Sequence, residues 1–404
     1  MTPTARRRAR IGRPGSRRRP PRPLAARRLR AIAATLACAL PATVALAACG
    51  GEPDPTPEQL AAVDYAPGPD VEGWQVSTPE AQGLDPDLVA DLYWRAANLE
   101  TIYSLLVIKN GYLVAEEYYR TGSPTQHSAV ASVTKSYTGA LVGIALDEGC
   151  LPSLDEPMIT YFPELEAQLD DPRKTEITIR QLLQMRAGYP WEEATAEGME
   201  LLYSRFTPAS LVDVPLKRDP GSGWDYSNLS SHLLAIIVAR ACEDLMDFAT
   251  EHLFDPLGIE PEQWMADRAG YRHGHADLSL SAREMARFGQ TYLDGGVHDG
   301  RQVIPTDWIE QSWQKYTEDA WYYAVGPNWH SSYGYQWWLI DAGPWTYDLA
   351  WGHGGQQIAV LPEEDLVVVL KADPLWDEHG DGPWGIEKAN LNLVANFVAG
   401  IPEG

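Results

Sequence analysis

Cysteine is scarce in this 404-residue chain, and basic residues are heavily outnumbered: there are four cysteines, and 32 Lys and Arg stand against 56 Asp and Glu. There is no CxxC pair and no Cys/His spacing of a structural zinc site, which removes the usual zinc modules and leaves no metal or cofactor to expect. His273-Gly274-His275 offers two close imidazoles without a third ligand or a helix to space them, and reads as a solvated loop. The shortage of positive charge argues against a nucleic-acid partner. Past the N-terminal segment no run is long and apolar enough to span a membrane, and no internal repeat or second Pro/Gly-rich linker divides the chain.

Basic residues are instead concentrated at the start. Residues 1–48 hold 12 arginines and no acidic residue, then an alanine-rich apolar stretch from Ala31 to Ala48 interrupted by Pro41. This is a targeting pattern. Leu46-Ala47-Ala48-Cys49 followed by Gly50-Gly51 resembles a bacterial lipobox, which implies cleavage before Cys49 and lipidation of its thiol. The expected location is the outer face of the plasma membrane, or free secretion if the segment is an ordinary signal. Without those arginines the remainder holds 20 basic and 56 acidic residues, about −36, a charge that suits solubility. Cys38 leaves with the segment, so Cys150 and Cys242 remain as a disulfide candidate, with two buried free thiols as the alternative. Residues 49–69, rich in Gly, Pro, Asp and Glu, suit a flexible tether, and 70–404 a single catalytic unit.

Within that unit Asp85–Leu99 has helical spacing, and two apolar runs around Asn110-Gly111 predict a β-hairpin. A helix follows from Ser132 to Gly149. Short helices and loops fill roughly 151–274, among them Ile179–Met185 and Asn228–Phe254 on either side of Cys242. Ser281-Ala282-Arg283-Glu284 is a capping box. Strand-like runs cover Tyr333–Ile340, Gln357–Leu361 and Leu366–Leu370, and a closing helix fits Ile386–Val398. The expected class is α/β in the α+β sense: an antiparallel sheet built from both chain ends, flanked by helices, with a helical subdomain over about 151–274.

Three short patterns carry chemistry. Ser132-Val133-Thr134-Lys135 opens a helix, so the hydroxyl and the amine share one face about a turn apart, and a neutral lysine there can take the serine proton. Ser312-Trp313-Gln314-Lys315 matches the same pattern but lacks a preceding hairpin. Tyr226-Ser227-Asn228 stands at a loop-to-helix junction, where the phenol can shuttle protons if a cation such as Lys135 lowers its pKa, and Asn228 can bond Lys135 and substrate. His353-Gly354-Gly355-Gln356 opens a strand. Its glycines would let a substrate backbone lie on the strand edge, with His353 donating a hydrogen bond and the Gln356 N–H serving as an oxyanion donor beside that of Ser132. Trp191, Trp337, Trp338, Trp345 and Trp351 form an aromatic-rich set, some of it available to a cleft.

In this order the three patterns resemble the signature of the serine β-lactamase and penicillin-binding protein superfamily, Ser-x-x-Lys, Tyr-x-Asn and Lys/His-x-Gly. The nearest likeness is to its class C-like branch of esterases, D-aminopeptidases, carboxypeptidases and aminohexanoate-oligomer hydrolases. Leu146-Asp147-Glu148-Gly149, Ile177–Leu183 and His252–Ile259 look familial too. The resemblance implies Ser132 as nucleophile, Lys135 as its activator, Tyr226 as proton shuttle, Asn228, His353 and Gly355 at the substrate, and a small ester, amide or peptide as substrate. His353 replaces the lysine usual in true β-lactamases of this branch, which removes a fixed charge for a substrate carboxylate and favours an ester or amide hydrolase. A D-alanyl carboxypeptidase or weak β-lactamase, and an idle envelope binding protein, are the alternatives.

Overall fold

The computed structural model describes residues 54–68, 71, 73–321, 325, 326, 329–373 and 382–403. The targeting segment and Cys49 lie outside the described residues. One compact unit runs from Asp54 to Gly404. It begins earlier than the composition implied: within the supposed tether, Thr56 caps a short helix, Pro57–Leu60, through a capping box. Tyr65 then packs on Tyr93, and its carbonyl accepts the Glu116 N–H. Proline and acidic residues marked this stretch as extended, but these contacts and an ion pair between Asp54 and Arg95 fasten it to the domain.

The core is an eight-stranded sheet: β1 (Gln75–Val76), β2 (Ile102–Lys109), β3 (Tyr112–Tyr118), β4 (His330–Tyr333), β5 (Trp338–Ala342), β6 (Trp345–Gly352), β7 (Gln356–Leu361) and β8 (Leu366–Ala372), in the spatial order β1-β3-β2-β8-β7-β6-β5-β4. Only β1 with β3 is parallel; the other pairings are antiparallel. Both chain ends build it, because β2 pairs with β8 at the centre. Both faces are covered, which is why the central strands are apolar without a break. Leu106, Ile108, Ile358, Val360, Val367 and Val369 enter one core, and Leu105, Val107, Ala359, Leu361, Val368 and Leu370 the other.

Helices α1 (Pro86–Asn98) and α5 (Gly382–Ala399) cover the second face; α2 (Thr134–Asp147), α3 (Asn228–Ala241) and α4 (Ala282–Leu293) belong to the first core. The capping box at Ser281 and Glu284 opens α4 as its sequence indicates. Two strand expectations change. The run Tyr333–Ile340 is two antiparallel strands, β4 and β5, because the chain reverses between them with Gln336 in a left-handed conformation, φ 60. Strand β6 has no counterpart in the sequence reading, although Tyr347, Leu349 and Trp351 alternate inward along it.

Cys150 and Cys242 are joined in a disulfide 92 residues apart. Cys242 is the C-cap of α3, and Cys150 follows the end of α2, so the bond ties the far ends of two packed helices whose near ends carry Lys135 and Asn228. Closing so long a loop restricts the unfolded chain. Replacing both cysteines by serine is expected to lower unfolding free energy by about 2–4 kcal/mol. Urea unfolding of the variant beside the oxidised protein measures this, and equal midpoints would show that the bond contributes no stability.

Candidate active site

Ser132 sits in a 3-10 turn, Ala131–Val133, that leads into α2, rather than in the α-helix itself. Ala131 before it has φ 48, an uncommon conformation for a residue with a side chain. The turn lies against the end of β6 at Gly352. A Cβ there would stand 2.4 Å from the Val130 carbonyl oxygen and 3.1 Å from the Ser132 nitrogen, so only glycine lets the sheet approach the Ser132 turn so closely.

Lys135 Nζ is 2.8 Å from Ser132 Oγ, 2.7 Å from Asn228 Oδ1 and 2.9 Å from the His275 carbonyl oxygen. These three contacts match the three N–H bonds of an ammonium. Burial lowers the Lys135 pKa to about 7, against the opposing pull of Glu193, Glu192 and Asp277. Desolvation therefore wins, and near neutrality the amine has a lone pair for the serine proton. Such a neutral amine can keep two donated bonds, to Asn228 and His275, while accepting the third from Ser132.

Tyr226 lines the same cavity as Ser132, and its ring lies 4.8 Å from Lys135 Nζ. Its pKa is raised, chiefly by burial, rather than lowered as the sequence reading required. A lysine that readily loses its proton is a poor source of stabilising charge. The phenol is thus a hydrogen donor at rest, and the low proton affinity belongs to Lys135.

Asn228 opens α3, with Ser227 as N-cap. Glu192 anchors this end: its carboxylate accepts from Ser227 Oγ at 2.8 Å and from the Asn228 and Leu229 amides at 2.8 and 3.2 Å. Burial nevertheless pushes its pKa up to about 7. Glu193 accepts from Asn228 Nδ2 at 2.8 Å and faces the cavity. Neither glutamate was recognised in the sequence, where Trp191-Glu192-Glu193 has no motif around it. His275 was missed as well. His273 and His275 are buried, not solvated, with rings 5.0 Å apart, and His273 Nδ1 lies 2.6 Å from Asp277 Oδ2. Their loop brings the His275 carbonyl to Lys135.

The cavity beside Ser132 has a volume of about 390 Å³ and is lined by Ser132, Trp191, Glu193, Tyr226, Trp321, Trp338, Trp351, His353, Trp384 and Glu387. Trp321 lies at the centre of the aromatic wall, 5.6 Å from Trp191, 5.7 Å from Trp338 and 5.2 Å from Trp351 between ring centres. Of the tryptophans singled out in the sequence, Trp191, Trp338 and Trp351 line it. Trp337 points to the opposite face of the sheet, and Trp345 bonds the Ile401 carbonyl at the sheet's end.

His353 reaches the cavity, but Gly355 and Gln356 do not line it. Gly354 and Gly355, with φ 81 and 84, form the β6–β7 turn. They are needed to reverse the chain, not to open an edge: β6 and β7 are both interior strands. The Gln356 side chain is buried against the main chain of Ala372. The second Ser-x-x-Lys match is no site: Ser312 Oγ bonds its own helix at Trp308 O, and Lys315 pairs with Asp341.

Comparison with known proteins agrees with this architecture. A 6-aminohexanoate-dimer hydrolase of Paenarthrobacter ureafaciens is 26% identical over 325 residues, 75% of this chain and 80% of that protein. Two solved structures share the fold. One is EstCE1, a hydrolase with promiscuous acyltransferase activity, with TM-score 0.61, 17% identity and coverage of 78% of this chain and 98% of that one. The other is the D-amino acid amidase from Ochrobactrum anthropi SV3, with TM-score 0.56, 18% identity and coverage of 74% and 96%. The family model described as Beta-lactamase matches residues 103–373, which include the serine–lysine pair, the Tyr-x-Asn segment and the His353 turn, and the chain belongs to that family of hydrolases.

Proposed function

We propose that this hydrolase cleaves an ester or amide through an acyl-enzyme on Ser132. The observation that carries the reading is Lys135 Nζ, buried, 2.8 Å from Ser132 Oγ, with its pKa lowered to about 7. As Ser132 Oγ attacks the substrate carbonyl carbon, its proton passes to the Lys135 lone pair, and the carbonyl oxygen becomes an oxyanion beside the Ser132 N–H. Tyr226, beside Ser132 on the cavity wall and next to Lys135, hands a proton to the departing alcohol or amine and recovers one from Lys135. Water attacks the acyl-enzyme in the second half, giving up a proton to the same Lys135–Tyr226 pair, which returns one to Ser132 Oγ as its ester bond breaks and the acid leaves.

The aromatic wall supports a substrate with an apolar body next to the scissile bond. Among the described lining residues there is no arginine, and the one lysine in contact with Ser132 is engaged in the chemistry. This makes a D-alanyl carboxypeptidase or β-lactamase, whose substrates present a carboxylate, the weaker reading. The names of the 6-aminohexanoate-dimer hydrolase and the acyltransferase-competent hydrolase agree with amide or ester cleavage. The proposal includes export and anchoring at Cys49, supported by the arginine-rich leader and its lipobox-like end.

A fluorophosphonate is expected to add once to the wild-type protein and to neither Ser132→Ala nor Lys135→Ala, read by intact mass. A folded wild type without adduct would support an idle binding protein instead. Turnover of a simple ester should fall on the order of 10³-fold or more in each variant. Because Lys135 must be neutral to accept the proton, kcat/KM should rise with pH through about 7 and decline about tenfold per unit on the acid side. A flat profile between pH 5 and 8 would remove Lys135 as the base.

A further inference from the structure

Glu387, on α5, contributes to the cavity wall but belongs to none of the three motifs. It is buried, and its carboxylate meets three donors. His353 Nδ1 lies 2.8 Å from Oε2, the Gly354 N–H 3.2 Å from Oε2, and Trp351 Nε1 2.7 Å from Oε1. The C-terminal helix is thereby fastened to the end of β6 and to the turn of the third motif. His353 itself is about half exposed, with its side chain at 53%. With Nδ1 held by the carboxylate, Nε2 is the ring nitrogen available to a ligand.

The pairing changes what the third motif can recognise. A lone imidazolium would attract a carboxylate much as the lysine of related enzymes does, but one paired with a buried carboxylate presents a hydrogen bond without net charge. Among the described residues, the other groups lining the cavity do not restore a positive field. Glu193 is acidic, Lys135 readily gives up its proton, and Tyr226 remains a neutral phenol. Glu387 and Glu193 both raise the proton affinity of His353, so the donor persists where a free histidine would lose it.

We propose that Glu387 is a specificity-determining positioning residue: it neutralises His353 and directs its Nε2–H at an uncharged acceptor on the acyl side, so that the site rejects carboxylate-bearing substrates. This rests on the acyl-enzyme reading above. The test compares kcat/KM for p-nitrophenyl butyrate and p-nitrophenyl hemisuccinate, which have acyl chains of similar length and differ by one carboxylate. Taking their ratio at one pH cancels the protonation of Lys135. The wild type is expected to prefer butyrate by about tenfold or more, and Glu387→Gln, which leaves His353 an unpaired cation at pH 6, to reduce that preference by about tenfold. A ratio unchanged in the variant, or a wild type that prefers hemisuccinate, overturns the proposal.

A second measurement does not depend on turnover. The His353 imidazole, assigned by NMR against His353→Gln, should titrate above an ordinary histidine in the wild type and about one unit lower in Glu387→Gln. An unmoved midpoint counts against the pairing whatever the kinetics. Should Glu387→Gln unfold the C-terminal helix, the wild-type ratio and midpoint still decide the matter. A wild type that takes no fluorophosphonate fails the acyl-enzyme reading and this inference together. An adduct with an unmoved substrate ratio fails the inference alone.

Discussion

The site depends on the burial of one amine. Lys135 is removed from water among Ser132, Asn228 and the His275 carbonyl, and desolvation overrides three nearby carboxylates in setting its proton affinity. Each partner is neutral, so each fixes the nitrogen without holding the extra proton as a carboxylate contact would. Three separate chain segments must converge for this: the start of α2, the start of α3 and the His273–Asp277 loop. The fold can be understood as the means of holding them together.

Two features apart from Ser132, Lys135 and Asn228 do that work. The absence of a side chain at Gly352 lets the end of β6 touch the serine turn, and the Cys150–Cys242 bond joins α2 and α3 at the ends remote from the site. Glu192 completes the frame by meeting the first amides of α3, where an acceptor is favoured. The alternating strand residues give both faces of the sheet an apolar cover, and α5 on the second face returns to the cavity through Glu387.

Local chemistry was legible wherever neighbours in sequence are neighbours in space. The Asn110-Gly111 hairpin, the Ser281 capping box and the Ser132–Lys135 spacing are all set within a few residues, so pattern alone exposes them. The break between β4 and β5 was not, because a left-handed Gln336 leaves no compositional mark. The tether boundary was not legible for a similar reason: the contacts that fasten residues 54–65, Asp54 with Arg95, Tyr65 with Tyr93 and the Tyr65 carbonyl with Glu116, are made to partners distant in sequence.

By itself the sequence determined the fold class, the serine–lysine pair and the order of the three motifs, because each rests on periodicity or short spacing that any packing must respect. Tertiary structure alone decided that the His275 carbonyl meets Lys135, that Glu192 and Glu193 surround Asn228, and that Glu387 holds His353. Those partners lie between 34 and 140 residues apart along the chain. It also raised the proton affinity of Tyr226, which the sequence reading had expected to be lowered, and supplied the burial that lowers that of Lys135, since desolvation is a property of the packed environment and no residue carries it in its name.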